Sequence, residues 1–248
     1  MAWLTDRFTE VNMILDFQNV TYQIPNGATI YKNLNLKIFK GDYYGVLGKN
    51  GAGKSTLIEM IMGLRKLTEG KIFVFDEDPS SSSRKKKHKI FVVTHDMQIP
   101  GAIVVKDILN YYKFFYPDYS EEIQNELLAL FEIGIKAKFG SLSTGQKIKA
   151  MLCAAFAAKA ELYLFDEVTA VLDPKSRRNF FRFLKKYREY HQCSILLATN
   201  IAEDLENSVD KVIFVDDEHR VLVKDVAQIE SLFEDSIEEE NFKEEKTA

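Results

Sequence analysis

The sequence predicts an α/β protein with a mostly parallel sheet core, an N-terminal antiparallel β subdomain and an inserted α-helical subdomain. Three observations predict this fold class. Short apolar runs that are typical of buried strands alternate with amphipathic helices, as in a parallel sheet covered on both faces. Two long strand-like runs open the chain, and residues 105–159 have helical spacing with few strand signals.

The predicted elements begin at residue 14. Strands are predicted over 14–25 and 29–39, and Asn26-Gly27 between them suits the positive φ angles of a hairpin turn. Pro174 is well placed in the first turn of a helix. The remaining predicted elements, in chain order, are a strand at 43–47, a helix at 55–65, strands at 71–75 and 89–94, the helical stretch 105–159, a strand at 162–165, a helix at 174–190, and strands at 194–199 and 211–215.

Composition and charge exclude several classes of protein. The chain has 248 residues, of which 46% are hydrophobic and 28% charged, so it is neither disordered nor collagen-like. Its longest apolar run falls well short of the ~20 residues that cross a membrane. Cys153 and Cys193 have no CxxC spacing, which argues against a zinc ribbon or a disulfide framework and favours a reducing, cytoplasmic location.

Charge also bears on the domain organisation. Residues 230–248 contain eight acidic and two basic residues, a net charge of −6, so the rest of the chain carries +2 of the total of −4. A near-neutral body argues against a nucleic-acid partner. We expect one domain over 14–228 with a helical subdomain at about 96–157, an N-terminal extension over 1–13 and an acidic tail over 229–248. The tail is either a solvated end or a docking peptide.

A glycine-rich motif carries the strongest functional signal. The run from Gly48 to Ser55 matches GxxxxGK[ST] and lies between a predicted strand and a predicted helix. Glycines let the backbone wrap a phosphate group closely at the positive end of the helix. The alternative is a plain glycine turn that starts a helix. The predicted phosphate-binding residues are Gly48, Lys49, Asn50, Gly51, Ala52, Gly53, Lys54, Ser55 and Thr56, with Lys54 reaching the β- and γ-phosphates and Ser55 also binding Mg²⁺.

An acidic pair follows the buried strand at 162–165. A divalent cation bound to phosphates requires a carboxylate at the edge of the sheet, and Asp166 is predicted to hold Mg²⁺ through water. Glu167, one residue later, is the candidate general base for the attacking water. An acidic pair after a strand is common, so this prediction depends on the phosphate loop.

Taken together, these motifs resemble the nucleotide-binding subunits of ABC transporters, which have the P-loop NTPase fold, over about 14–228. Leu142–Gln146 is similar to the LSGGQ signature of that family, and 170–173 to its D-loop. Tyr22 matches the aromatic residue on which adenine stacks, although it could also pack on the sheet, and 142–146 could be only a helix cap. The resemblance adds as nucleotide-binding residues Tyr22, Ser143, Thr144, Gly145, Gln146 and Asp173.

The same resemblance implies cofactors and partners. The cofactors are ATP and Mg²⁺, and two subunits pair head to tail so that each nucleotide lies between the phosphate loop of one and the signature of the other. The partners are a transmembrane permease subunit and either a second copy or a different ABC ATPase, at the inner face of the cell membrane. No nucleic acid is implied.

The segment 109–119 is similar to single-cassette exporter ATPases of Gram-positive bacteria, which implies export of peptides or drug-like amphiphiles. Two interpretations of its aromatic residues stay open. They line a groove for a helix of the membrane subunit, or they are ordinary core of the subdomain. The residues are Tyr111, Tyr112, Phe114, Phe115 and Tyr116.

Several positions depart from the family pattern. His95 stands where the family has glutamine, with Gln98 as a possible substitute, and Asn200 stands at the place of the switch histidine. Asparagine donates a hydrogen bond but carries no titratable charge. Thr144 also adds a side chain where the signature must approach a phosphate closely. We therefore expect normal Mg-ATP binding with slow hydrolysis, or alternatively a hydrolysis-impaired, ATP-gated subunit of a heterodimeric transporter. A soluble ATPase of ribosome or DNA-repair type and a nucleotide kinase fit the signature and spacing less well.

Overall fold

A computed structural model describes residues 13–25, 27–81, 86–206, 208–216 and 221–228. The predicted acidic tail, residues 1–12 of the predicted extension and Asn26 of the predicted turn lie outside the described residues. Met13, which the prediction placed in the extension, is the first residue of the first strand.

Nine strands and six α-helices form within the described part of the chain. The strands are β1 (Met13–Gln23), β2 (Thr29–Phe39), β3 (Tyr43–Leu47), β4 (Glu69–Val74), β5 (Ile90–Thr94), β6 (Leu162–Asp166), β7 (Ser194–Thr199), β8 (Lys211–Val215) and β9 (Val221–Asp225). The helices are α1 (Lys54–Ile61), α2 (Val105–Phe115), α3 (Glu121–Leu130), α4 (Thr144–Ala157), α5 (Pro174–Tyr190) and α6 (Glu203–Glu206). Short 3-10 helices occur at Lys87–Lys89, Phe139–Ser141 and Val226–Gln228.

The strands form two sheets. The larger has six strands in the order β5-β6-β7-β3-β8-β9, and every neighbouring pair in it is parallel except β8 and β9. The smaller sheet has the order β2-β1-β4 and is antiparallel. Since parallel neighbours end at the same edge, the carboxyl ends of β3, β5, β6 and β7 meet on one side of the larger sheet.

The larger sheet separates two hydrophobic cores. Successive side chains of each buried strand point to opposite faces of the sheet, so each strand contributes residues to both cores. Tyr163 and Phe165 of β6 face a core shared with α4 and α5. Leu162 and Leu164 of the same strand face a core shared with α1 and the antiparallel sheet. This covering of both faces explains why β3, β6 and β7 are buried at every residue rather than at alternate residues.

The predicted architecture is confirmed: a mostly parallel core, an antiparallel sheet near the N-terminus, and helices α2 to α4 inserted between β5 and β6. The predicted first helix is too long, because α1 ends at Ile61 and Gly63 adopts φ +69° directly afterwards. Gly27 does not have the positive φ angle that the predicted turn required of it. Strand β9 was not predicted, and its side chains are all partly or fully exposed. Among the described helices, none is both long and apolar enough to cross a membrane.

Candidate functional site

Four predicted site segments begin where four parallel strands end. The phosphate loop follows β3, His95 follows β5, Glu167 follows β6 and Asn200 follows β7. The register of the strands places Thr94 beside Asp166, and Asp166 beside Ala198. Ligands of open α/β sheets bind in the crevice beyond such strand ends. The sheet therefore brings these predicted residues to one edge.

The phosphate loop owes its shape to Gly53, which precedes α1 and adopts φ +107°. A Cβ atom built on Gly53 would lie 2.7 Å from Cγ2 of Ile30, so a side chain there is excluded by space as well as by the backbone angle. The hydroxyl of Tyr31 donates a hydrogen bond of 2.9 Å to the Gly53 carbonyl. Since α1 has no side-chain cap at its start, its first amides are available to an anion.

Lys54 is 4% exposed, and its ammonium group is held by the loop itself. Nζ donates to the carbonyl oxygens of Gly48 at 2.8 Å and Lys49 at 3.0 Å. It also lies 3.4 Å from Oε1 of Glu167. The carbonyl bonds aim a buried positive charge into the loop, where phosphate oxygens would compete with the Glu167 carboxylate for it.

Asp166 is buried at the end of β6, and its Oδ1 atom has no hydrogen-bond partner among the described residues. Burial raises the pKa of this carboxyl group, and the nearby Ser55 hydroxyl opposes that rise. An orphaned carboxylate oxygen beside a hydroxyl fits a Mg²⁺ ion that takes its other ligands from phosphates and water. Within the described residues, no cluster of three or more histidine, cysteine or acidic side chains would hold a metal without such help.

Glu167 has the left-handed backbone angle φ +53°, which is uncommon for a residue other than glycine. Its amide donates to the Ala198 carbonyl at 2.9 Å, so β7 holds the backbone in this conformation. The side chain is 22% exposed at the mouth of the site. Strained backbone of this kind is often found at functional sites, and here it directs a carboxylate toward Lys54.

Two of the departures from the family pattern, His95 and Asn200, lie beside these groups. His95 is exposed, and its amide donates to the Asp166 carbonyl at 3.1 Å. Gln98 is exposed three residues farther along the chain. Asn200 donates from Nδ2 to Oδ1 of Asn50 at 3.2 Å, so its side chain reaches the phosphate loop directly. This contact was not predicted from the sequence.

The signature-like segment forms the start of α4. Ser143 Oγ accepts from the Gln146 amide at 3.2 Å, and Gln146 Oε1 accepts from the Ser143 amide at 2.9 Å, which is a capping box. Ser143 thus caps a helix, as the helix-cap interpretation requires, and a signature at the same position is compatible with this cap. Ser143 and Thr144 remain exposed, so the cap leaves them accessible to a ligand.

Asp173 caps α5 and connects the D-loop-like segment to α4. Its carboxylate accepts from the amide of Ser176 at 2.9 Å and from the hydroxyl of Ser176 at 2.7 Å, which lowers the pKa of Asp173 to about 2. Lys149 of α4 lies 3.5 Å from the same carboxylate. A Cβ atom built on Gly145 would lie 2.7 Å from the Val171 carbonyl oxygen. The predicted signature and D-loop residues thus form a second group, and none of these bonds joins them to the phosphate loop.

The structure favours the packing interpretation of Tyr22. Its side chain is 4% exposed and lies in the core shared with α1, so it presents no open ring face to a base. Two residues later, Ile24 is 43% exposed at the end of β1. The paired strand β2 continues from this hairpin to Ile30 and Tyr31, which contact Gly53. Ile24 is therefore an exposed large hydrophobic side chain in this hairpin, and it was not predicted because an aromatic residue was expected to contact the base.

Comparison with known proteins agrees with this geometry. The family model described as ABC transporter matches residues 31–170. An ABC transporter ATP-binding protein of Archaeoglobus fulgidus is 30% identical, covering 89% of this chain and 95% of that protein. The phosphonates import ATP-binding protein PhnC of Lactococcus lactis is 30% identical over 74% of this chain and 82% of its own length.

Solved structures show the same fold. The ATP-binding subunit of an ABC transporter superimposes with a TM-score of 0.78 at 22% identity, covering 89% of this chain and 93% of that one. A dimeric bacterial ABC transporter cassette gives a TM-score of 0.74 at 22% identity, covering 86% of this chain and 99% of that one. With a matching family model over more than half its length and relatives at 30% identity, the chain belongs to the ABC transporter family as an ATP-binding domain.

Proposed function

We propose that this chain is the ATP-binding and ATP-hydrolysing subunit that powers an ABC transporter, and that ATP-driven dimerisation is its working step. The observation that carries the proposal is the convergence of Lys54, Asp166 and Glu167 at the phosphate loop. A buried cation, an unpartnered buried carboxylate oxygen and a second, accessible carboxylate are the groups that a magnesium triphosphate and its attacking water require.

Each group has a distinct part in this proposal. The loop from Gly48 to Thr56 holds the phosphates, with Lys54 on the β- and γ-oxygens. Ser55 and Asp166 would hold Mg²⁺, which would neutralise phosphate charge when bound. Glu167 orients the water and takes its proton, while Asn200 and His95 contribute weaker contacts than the family's usual residues. Such a site hydrolyses ATP slowly.

The exposed signature group supports pairing. Since Ser143 and Thr144 face solvent on α4 while the phosphate loop lies at the strand edge, a paired subunit supplies the signature, with Gly145, Gln146 and Asp173, to the nucleotide of the first. The pair is either two copies of this chain or this chain with a different ABC ATPase. One of the structural relatives is itself a dimeric cassette.

Base recognition in this proposal uses Ile24 rather than Tyr22. An aliphatic side chain contacts a base with less area than an aromatic ring and without stacking. We therefore propose that most nucleotide affinity comes from the phosphates, which the buried ammonium group of Lys54 would contact.

The proposed membrane partner is a permease subunit that docks on α2. Tyr111, Phe114 and Phe115 are 59%, 83% and 50% exposed, and their rings contact one another. Tyr112 is half-buried and Tyr116 is buried, which supports the core interpretation for these two residues, whereas the three exposed rings are available for the proposed docking. The proposal of export, of peptides or drug-like amphiphiles, rests on the resemblance of this segment. The name of the Lactococcus lactis relative is that of an import protein.

A second candidate function follows from Asn200. An ATP-gated subunit of a heterodimeric transporter needs the same fold and nucleotide contacts but little catalysis. The substitution of a titratable switch residue by an amide favours it, and so does the bond that holds Asn200 to the phosphate loop rather than to the catalytic carboxylate.

Phosphate release from Mg-ATP by the purified chain tests the proposal. Loss of a general base costs ~10²–10⁴ in rate, so Glu167→Gln should reduce release at least 100-fold while nucleotide binding persists. Glu122→Gln, which removes an exposed carboxylate from the first turn of α3, is the matched control and should leave the rate unchanged. Equal rates in both variants would contradict the motor function. Binding without any Glu167-dependent release would establish the second candidate.

A further inference from the structure

A groove of about 380 Å³ lies beside α5, far from the phosphate loop. It is lined by Tyr43, Phe181, Leu184 and Val209, with Lys185 and Arg188 among the polar residues at its rim. Tyr43 begins β3 and the phosphate loop follows the end of that strand, so the groove and the nucleotide site lie at opposite edges of the sheet. We call this feature the α5 groove.

The helix that forms one wall of the α5 groove is strongly basic. Its 17 residues include seven lysine or arginine residues and a single acidic residue, Glu189, which also lines the groove. Arg188 pairs with Asp210 at 2.6 Å and lies over the ring of Tyr43. Arg178, Arg182 and Lys185 follow one stripe of the helix, are exposed, and have no ion pair with any described carboxylate. The surface around the groove therefore has unneutralised positive charge.

The described chain ends at the wall of this groove. The amide of Val226 donates to the carbonyl of Asp210 at 3.0 Å, and Asp210 directly follows Val209 of the lining. The 3-10 helix Val226–Gln228 also contacts α6, which precedes the same wall. The segment that begins at residue 229 is therefore attached to the chain close to the groove.

The residues that follow have the complementary composition. From Glu230 to Ala248 the chain carries eight acidic and two basic residues. Ile229, Leu232, Phe233 and Ile237 recur at the spacing of one helical face, with acidic residues between them. Twenty residues can span up to ~66 Å when extended, whereas a helix the length of α5 measures ~25 Å. The segment has ample reach along the helix.

We propose that the α5 groove is the docking site of this chain's own acidic tail, residues 229–248. Leu232 and Phe233 fill the apolar floor, and the neighbouring acidic side chains pair with Lys185 and Arg182. The occupant is fixed by the attachment point, because tethering beside the groove gives the tail an effective concentration that no separate partner matches. This inference does not depend on the proposed transport function.

Photo-crosslinking in the full-length chain tests the proposal. With p-benzoylphenylalanine in place of Phe233, irradiation should give an adduct within one chain, located by mass spectrometry between Phe181 and Glu189. The adduct yield should fall at least fivefold in Lys185→Glu. Lys106→Glu, the same charge reversal at an exposed position of α2, is the control and should keep the yield.

Three results would overturn the proposal: an adduct on another surface, an adduct between isotope-labelled and unlabelled chains, or a yield that Lys185→Glu does not reduce. Hydrogen exchange on the unmodified chain gives an independent measurement. Amides of residues 230–238 should be protected at low salt and exchange faster in 1 M salt, where the Debye length falls to about 3 Å. Exchange at unprotected rates in both conditions would also contradict docking.

Discussion

Asn200 contacts the phosphate loop. Another side chain at this position would therefore also reach the loop. The hydrogen bond from the side-chain amide of Asn200 to Asn50 places the end of the residue-200 side chain beside the loop. A histidine there could donate to a γ-phosphate oxygen and change charge near neutral pH, which asparagine cannot do. A preorganised donor to a transition-state oxygen contributes ~10²–10³ in rate in well-studied active sites.

We predict that Asn200→His raises single-turnover ATP hydrolysis at least tenfold. The measurement is phosphate release with enzyme in excess over Mg-ATP, which separates the chemical step from product release. Asn200→Gln keeps an amide donor and is the matched control, for which we expect no tenfold gain. An unchanged rate for Asn200→His would show that this position does not limit catalysis.

Ile24 offers a second test at the level of one side chain. If the base lies against the hairpin, Ile24→Tyr supplies a stacking surface worth ~1–3 kcal/mol, or about 5–150-fold in affinity. We therefore expect a lower Kd for ATP in equilibrium binding measurements. Tyr22→Phe is the control, because Tyr22 is buried and should alter affinity little. An unchanged Kd for Ile24→Tyr would contradict the placement of the base against Ile24.

At the scale of elements, the start of α4 packs against the segment that precedes α5. The backbone of Gly145 approaches the Val171 carbonyl so closely that a methyl group would lie 2.7 Å from the oxygen. This close approach connects the signature-like turn to Asp173, which Lys149 of the same helix also contacts. The start of α4 and the segment before α5 are therefore packed tightly against each other.

We predict that Gly145→Ala lowers the free energy of unfolding by ~1–3 kcal/mol, the usual cost of forcing extra volume into a packed contact. Urea denaturation followed by circular dichroism measures it. Gly134→Ala is the control, since a methyl group there would meet nothing within 4 Å. If the two variants were equally stable, the backbone around Val171 would be able to move away from the added methyl group with little loss of stability.

Several elements were predictable because their cause is local. The bounds of α5 and β7 agree with the prediction, since Pro174 and an unbroken apolar run define them. The end of α1 also has a local cause, which the prediction of 55–65 did not use: Gly63 adopts a positive φ angle after the C-cap, and the Leu64 amide donates to the Glu59 carbonyl at 2.9 Å. By contrast, the pairing of β1 with β2 has several register shifts, including one between Tyr22 and Gln23, which depend on the partner strand and not on the local sequence pattern. The phosphate loop was found by its motif, but the bond from Asn200 to Asn50 required the assembled sheet.

For the whole molecule, the two groups of candidate residues lie on different elements. The phosphate loop, Asp166 and Glu167 are fixed by the edge of the larger sheet, whereas Ser143 and Asp173 are fixed by the N-termini of α4 and α5. Helix α3 is connected to α5 by the ion pair of Glu126 with Lys186, and the turn after α3 by that of Glu132 with Lys175. Both ion pairs are exposed, so they restrain the inserted helices only weakly. The inserted helices are held mainly by the hydrophobic core that they share with β6 and α5, so a partner that binds them contacts elements packed against the larger sheet.

The exposed aromatic patch on α2 is the surface by which such a partner would act. Removing buried interface aromatics commonly costs more than 1–2 kcal/mol, so we predict that Tyr111→Ser with Phe114→Ser reduces co-purification of a membrane subunit at least fivefold. ATP binding should be unchanged, because the patch belongs to the inserted helices. Tyr190→Ser removes an equally exposed aromatic from α5 and is the control. Equal loss in the control would mean that surface hydrophobicity, rather than α2, attracts the membrane fraction. Unchanged recovery of the double variant would mean that the membrane subunit binds another surface of this chain.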